Sequence, residues 1–114
     1  MREKERRLAR KRLDEEMRPF RIAGAKKGGT SELLRAVRHV LNIPMKEVAE
    51  NMGVSLSVAF GLEASEARRT ITLSSMARMA RAMGCKVVYG VVPEGKKTLE
   101  ALAEERYWRE VLKE

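Results

Sequence analysis

The side chains most used for acid–base and covalent chemistry are scarce in this chain of 114 residues, which holds one histidine, His39, and one cysteine, Cys85. Paired metal ligands, a histidine-centred catalytic constellation and an intrachain disulfide are therefore out of reach. Lys26-Lys27-Gly28-Gly29 is glycine-rich but lacks the spacing of a phosphate-cradling loop. The chain thus reads as a non-enzyme with no cofactor and no metal. What it has in quantity is positive charge: 24 Lys and Arg against 16 Asp and Glu, a net of +8 and a pI near 10.1. That balance suits a polyanionic partner, either nucleic acid or an anionic membrane surface. The charge is uneven, with 11 Lys and Arg against 5 Asp and Glu in residues 1–30, and 13 against 11 in the remainder.

Residues able to meet a nucleic acid cluster in the stretch KEVAENMGVSLSVAFGLEA, Lys46 to Ala64. Val48, Ala49 and Met52 share one helical face. Gly53 stands where a helix end needs positive φ, and Ser55 can cap a second helix with its hydroxyl. Val54 plugs the corner between them. The second helix buries Ala59 and Leu62, which leaves Ser57, Phe60 and Gly61 on its other side. Ala49 must be small, because the second helix crosses over it. This is a helix-turn-helix pattern. The same pattern also serves as an ordinary corner between packed helices, and the basic balance of the chain favours the nucleic-acid reading.

The flanking elements must hold that pair in place. Residues 2–18 are helix-prone and highly charged, with a thin apolar stripe of Leu13, Met17 and Phe20 set among Arg6, Arg7, Arg10, Lys11 and Arg12. Two roles stay open for this arm: a solvated helix docked by its stripe, or a supplier of phosphate contacts. Pro19 is expected to end it, because the residue before proline resists the α region. Arg21 to Thr30 reads as a linker. Ser31 is expected to cap a helix with Leu33, Leu34, Val37, Val40 and Leu41 facing inward, and Pro44 to open the next one. Arg68 and Arg69 follow the motif. Thr72 caps a helix that runs through Met83 to Gly84, with Leu73, Met76, Met79, Ala80 and Met83 on one face.

Cys85 to Val92, CKVVYGVV, is β-branched and aromatic and bounded by Gly84 and Pro93, the pattern of a short strand. Cys85, at its start, reads as a buried thiol. A lone apolar strand leaves an unpaired edge. Pairing with its own copy across a two-fold axis resolves this, so Val87, Val88, Tyr89 and Val91 are expected to dimerise the protein. A partner strand near Phe20 to Gly24 is the less favoured alternative. Residues 98–113 form a closing amphipathic helix capped by Thr98, with Leu99, Leu102, Trp108, Val111 and Leu112 on its apolar face. It docks either on its own subunit or, through Tyr107 and Trp108, on a partner.

No apolar run approaches the roughly 20 residues of a transmembrane helix, and the N-terminus lacks the apolar core of a signal peptide. The expectation is a soluble protein of the cytoplasm, working at the nucleoid. Three regions are expected: a basic N-terminal helix and linker at 1–30, a helix-turn-helix domain at 31–84, and a dimerisation extension of strand and helix at 85–114.

From Leu33 to Gly84 the chain resembles the phage-repressor (Cro/repressor-type) helix-turn-helix regulators. Nearly the whole chain is similar to the bacterial group called mobile mystery protein A, through REKERRLARKRLD, GVSLSVAFGLEASEA, TITLSSMARMARAMG and CKVVYGVVPEG. The resemblance implies an all-α, five-helix repressor-like domain with one short C-terminal strand and flanking N- and C-terminal helices. It also implies sequence-specific binding of double-stranded DNA, and genes often paired with a Fic-domain protein in a toxin–antitoxin-like arrangement. It further implies a structural ion pair between Arg38 and Glu63, and a charge at each of two packed positions is tolerable only if paired.

The departures from that pattern are informative. Where such regulators present glutamine, arginine or lysine to base edges, this chain has Leu56, Ser57, Phe60 and Gly61, none of which offers a bidentate contact. Pro44 and Met45 replace the usual polar start of the preceding helix.

Two functional readings follow. In the first, a homodimeric regulator sets Ser55 and Ser57 against phosphate or base edges and Leu56 and Phe60 against thymine methyl groups. Gly61 permits close approach, and Lys46, Arg68, Arg69 and the backbone N–H groups at Met45 meet phosphates. In the second, Leu56 and Phe60 form an apolar patch for a protein partner, such as a neighbour-encoded toxin.

Overall fold

The computed structural model describes residues 1–24, 32–95 and 97–113. All regular structure among them is helical: α1 (Glu3–Gly24), α2 (Leu33–Val40), α3 (Met45–Met52), α4 (Leu56–Ala67), α5 (Leu73–Ala82) and α6 (Leu99–Lys113). None of these helices is long and apolar enough to cross a membrane. The chain divides into two units, one of residues 29–88 and one of residues 1–28 together with 89–114. The N- and C-terminal helices, expected from the sequence as separate extensions, therefore belong to the same unit.

In the 29–88 unit, α3 packs against α4 and α5, and α2 against α4 and α5. Its core is Leu34, Met45, Val48, Ala49, Ala59, Met79, Ala80 and Met83, with Val48, Ala59 and Met79 fully buried. Met52, Val54 and Leu62 pack against that core, so each apolar position of the motif faces inward. The corner forms as its residue types require. Gly53 takes φ +69°, a region that costs L-residues about 1 kcal/mol or more, and Val54 N–H closes back on the Ala49 carbonyl at 3.0 Å. Ser55 Oγ accepts from Val58 N–H at 3.1 Å, and Thr72 Oγ1 caps α5 by accepting from Ser75 N–H at 3.0 Å.

The α2 face differs from its expectation. Leu34 is buried and Val37 packs on the core, while Leu33, Val40 and Leu41 are exposed. Leu34 N–H donates to Glu66 Oε1 at 2.8 Å, and Arg38 pairs with Glu63. These polar contacts turn the Leu34–Arg38 column toward α4, and Leu33 and Val40 lie about 100° or more around the helix from it. The expected cap, Ser31, lies outside the described residues. Leu73, expected inside, is exposed, whereas Ile71 before it and Met76 after it pack against the core.

Cys85 to Val92 carries no regular structure in the single chain. Its backbone has no ladder partner among the described residues, and the alternative partner, Phe20 to Gly24, is helical. Gly84 at φ +80° turns the chain outward, so Cys85 is exposed rather than buried. Val87 is half-buried and packs on the core of the 29–88 unit, whereas Val88, Tyr89 and Val91 are exposed.

In the other unit α1 packs against α6. Pro19 does not end α1; the helix continues to Gly24. Contacts beyond the proline offset its cost of about 3 kcal/mol. The Arg21 guanidinium donates to the Asp14 carbonyl, and Met17 and Phe20 seat against the backbone of Gly90. That seat requires glycine, since a Cβ at position 90 would lie 2.6 Å from Phe20 Cγ. Asp14 in turn caps α6, its two carboxylate oxygens accepting from Leu99 N–H at 2.7 Å and Glu100 N–H at 3.3 Å. Thr98 Oγ1 accepts from Ala101 N–H at 3.1 Å, the capping role read from the sequence. Arg10 joins the helices through Glu100 at 2.9 Å.

Candidate nucleic-acid interface

The outer side of α4 presents two neighbouring columns, Leu56 with Phe60 and Ser57 with Gly61, each pair one helical turn apart. All four are exposed, Leu56 at 48% and Phe60 at 51%. They are free to face outward because Ala59, Leu62 and Glu66 take the inward positions of the same helix. Gly61 has open space where a Cβ would stand. Ser55 is exposed, but its hydroxyl already accepts the α4 cap bond, so it has less to offer a ligand than the sequence alone suggests.

Exposed positive charge stands at the start and just past the end of the α3–α4 pair. Lys46 is exposed in the first turn of α3. Arg68 and Arg69 are exposed just past the C-terminus of α4, Arg69 in a left-handed conformation at φ +59°. Met45, also expected at the interface, is buried at 4% and belongs to the core. The first turn of α3 carries the packing of that helix onto α4 and α5, so position 45 points inward; only its backbone N–H remains for a ligand. Pro44 provides no side-chain cap to that turn.

The Arg38–Glu63 pair braces α4 from α2. Arg38 Nε lies 2.8 Å from Glu63 Oε2 and Nη2 lies 3.0 Å from Oε1, a two-pronged contact between side chains only 14% and 10% exposed. Hydrogen bonding to Glu63 raises the Arg38 pKa above its ordinary value against the opposing effect of burial. This arginine is spent on structure.

Two features were missed from the sequence. Glu66 is buried at 5% and caps α2; it follows Ala59 by seven residues and Leu62 by four, so a carboxylate at an inward position was the available signal. The second is a shallow cleft of about 460 Å³ between α2 and α4, lined by Phe60, Ala64, Ala67, Arg35 and Arg68 among others. Arg35 is separated from these residues in sequence, and only the packing of α2 on α4 brings them together.

No protein-family model, no curated protein and no solved structure matches the chain.

Proposed function

We propose that the 29–88 unit is a repressor-like helix-turn-helix module and that the protein is a dimeric, sequence-specific DNA-binding regulator, autoregulatory and antitoxin-like, working at the nucleoid. One observation carries this reading: the outer face of α4 is uncovered, with a cation in the first turn of α3 and two more just beyond its own C-terminus. On this reading α4 enters the major groove. Leu56 and Phe60 pack on thymine methyl groups, Ser57 reaches a base edge or phosphate, and Gly61 lets the helix approach closely. Lys46, Arg68 and Arg69, with the first backbone N–H groups of α3, hold phosphates. With no bidentate reader on α4, selectivity rests on methyl contacts, DNA shape and the spacing between half-sites. Val88, Tyr89 and Val91 pair the 85–92 run with its copy as a strand across the two-fold.

The apolar character of Leu56, Val58 and Phe60, all about half exposed, favours a second reading. In it α4 captures a protein, such as a neighbour-encoded Fic-type toxin, and DNA affinity is residual. A gel shift on the DNA upstream of the protein's own gene, at two salt concentrations, separates the two. The first reading expects binding that weakens steeply with salt and falls at least tenfold in Leu56→Ala/Phe60→Ala. Unchanged DNA binding in that variant, with loss of partner capture, supports the second. Binding that ignores salt removes the first.

A further inference from the structure

The unit formed by α1 and α6 has no buried residue among those described. Its two helices are tied by polar contacts, Arg10 with Glu100 and Asp14 with the α6 N-terminus, and by partly covered apolar side chains. The C-terminal half of α6 leaves Tyr107 at 61%, Trp108 at 53% and Leu112 at 81% exposed. A helical pair with no interior is marginal in water, since helices draw most of their stability from burying an apolar face.

Ala101, Glu105, Trp108 and Leu112 recur at four, three and four residues, a single stripe along α6. The side toward α1 carries Glu100, Ala103, Tyr107 and Glu110, which line a cleft with Glu3, Arg7 and Arg10. The stripe lies about 145° around the helix from that side. We infer that α6 is a self-association surface, on which the α6 of a second copy packs antiparallel. This rests on, and deepens, the two-copy reading above.

Charge selects the occupant. An antiparallel pair about a two-fold near Tyr107 sets Glu105 opposite the partner's Arg109, and the symmetry makes that contact twice. Glu105 is the one charged member of the stripe, and a lone polar seam position fixes register and orientation. Lys97 already holds it in place at 2.8 Å. The two Trp108 side chains then meet near the axis. Area points the same way. Aromatic side chains bury roughly 150–250 Å² each, so Trp108 with Leu112 offers on the order of 250 Å² per copy. A stable interface takes about 800 Å² per partner, so α6 supplies about a third, and the exposed Tyr89 and Val91 of the same unit are available to add to it.

The test uses the full chain without DNA. Sedimentation velocity over a concentration series measures self-association, and the emission of Trp108, the only tryptophan, reports burial of the stripe. Glu105→Arg sets two like-charge contacts in place of two attractive ones, and weakens association about tenfold with helicity unchanged. Glu105→Arg/Arg109→Glu restores it to within about threefold of the parent. In the unsubstituted protein, dilution through dissociation shifts Trp108 emission to the red. A dimer indifferent to Glu105→Arg, or Trp108 emission unchanged through dissociation, overturns the α6 surface and leaves dimerisation through 85–92 standing. A monomer at all concentrations that still shifts operator DNA overturns both dimer contacts while the DNA reading survives. If Glu105→Arg loses helicity, the emission of the unsubstituted protein on dilution decides alone.

Discussion

Arg38→Met removes a guanidinium from a contact that is nearly out of water and leaves the Glu63 carboxylate behind. The pair makes hydrogen bonds of 2.8 and 3.0 Å, and Arg38 also approaches the Ile43 carbonyl at 3.4 Å. Breaking a fully buried pair from one side costs about 3–5 kcal/mol. With Glu63 10% exposed, water relieves a little of that penalty, and about 3 kcal/mol is expected. In a unit of this size each kcal/mol moves the midpoint by about 4–8 °C, so a fall of about 12–24 °C follows. Glu63→Gln is milder, at about 1–1.5 kcal/mol, because its amide oxygen still accepts from the guanidinium. Arg38→Met/Glu63→Met returns to within about 1 kcal/mol of the parent, since apolar replacement of a buried pair is often neutral. Urea unfolding followed by helical circular dichroism measures all four proteins as a double-mutant cycle. Single substitutions costing under about 0.5 kcal/mol, or a double that equals the sum of its singles, would refute a brace between α2 and α4.

Arg69→Gly separates stability from binding. It relieves the left-handed backbone at φ +59° and stabilises the protein by about 1 kcal/mol, while lowering the slope of log affinity against log salt by about 1 if the arginine holds a phosphate. An unchanged slope removes Arg69 from the interface. Gly90→Ala drives a methyl into Phe20, 2.6 Å away, and destabilises the α1–α6 unit by about 1–3 kcal/mol, measured by the near-ultraviolet dichroism of Tyr107 and Trp108. The pH dependence of that unit follows from Glu100, whose pKa the hydrogen bond from Arg10 holds below its ordinary 4.5. A lowered carboxylate pKa stabilises fully above pH 4.5 and ceases to do so as pH falls through the lowered value, so α1 and α6 loosen in acid. Glu100→Gln should flatten that transition in the same dichroism signal; a variant that keeps it would assign the acid response to another group.

Much of the helical layout was legible because it is local. The caps at Ser55, Thr72 and Thr98 and the left-handed Gly53 depend on residues within one turn, and each behaves as its chemistry requires. The core positions of α3, α4 and α5 follow from helical spacing, since burial of the face follows directly from 3.6 residues per turn. Local rules also misled. Pro19 ought to stop a helix, yet contacts made by Phe20 and Arg21 carry α1 past it. Cys85 reads as a buried thiol and is exposed; Leu33 and Val40 read as inward positions of α2 and face out.

By itself the sequence determined where six helical segments lie, though not that α1 runs past Pro19, together with the corner between α3 and α4 and which side of α4 stays uncovered, because these follow from residue type and spacing within one or two turns. Tertiary structure alone decided the rest. It showed that the N- and C-terminal helices form one unit, that Glu66 and Asp14 cap helices far from them in the chain, and that Leu33, Val40 and Leu73 face out. Those outcomes turn on which segments meet across long stretches of chain. Periodicity tells which face of a helix is apolar, but not which partner covers it or whether one does.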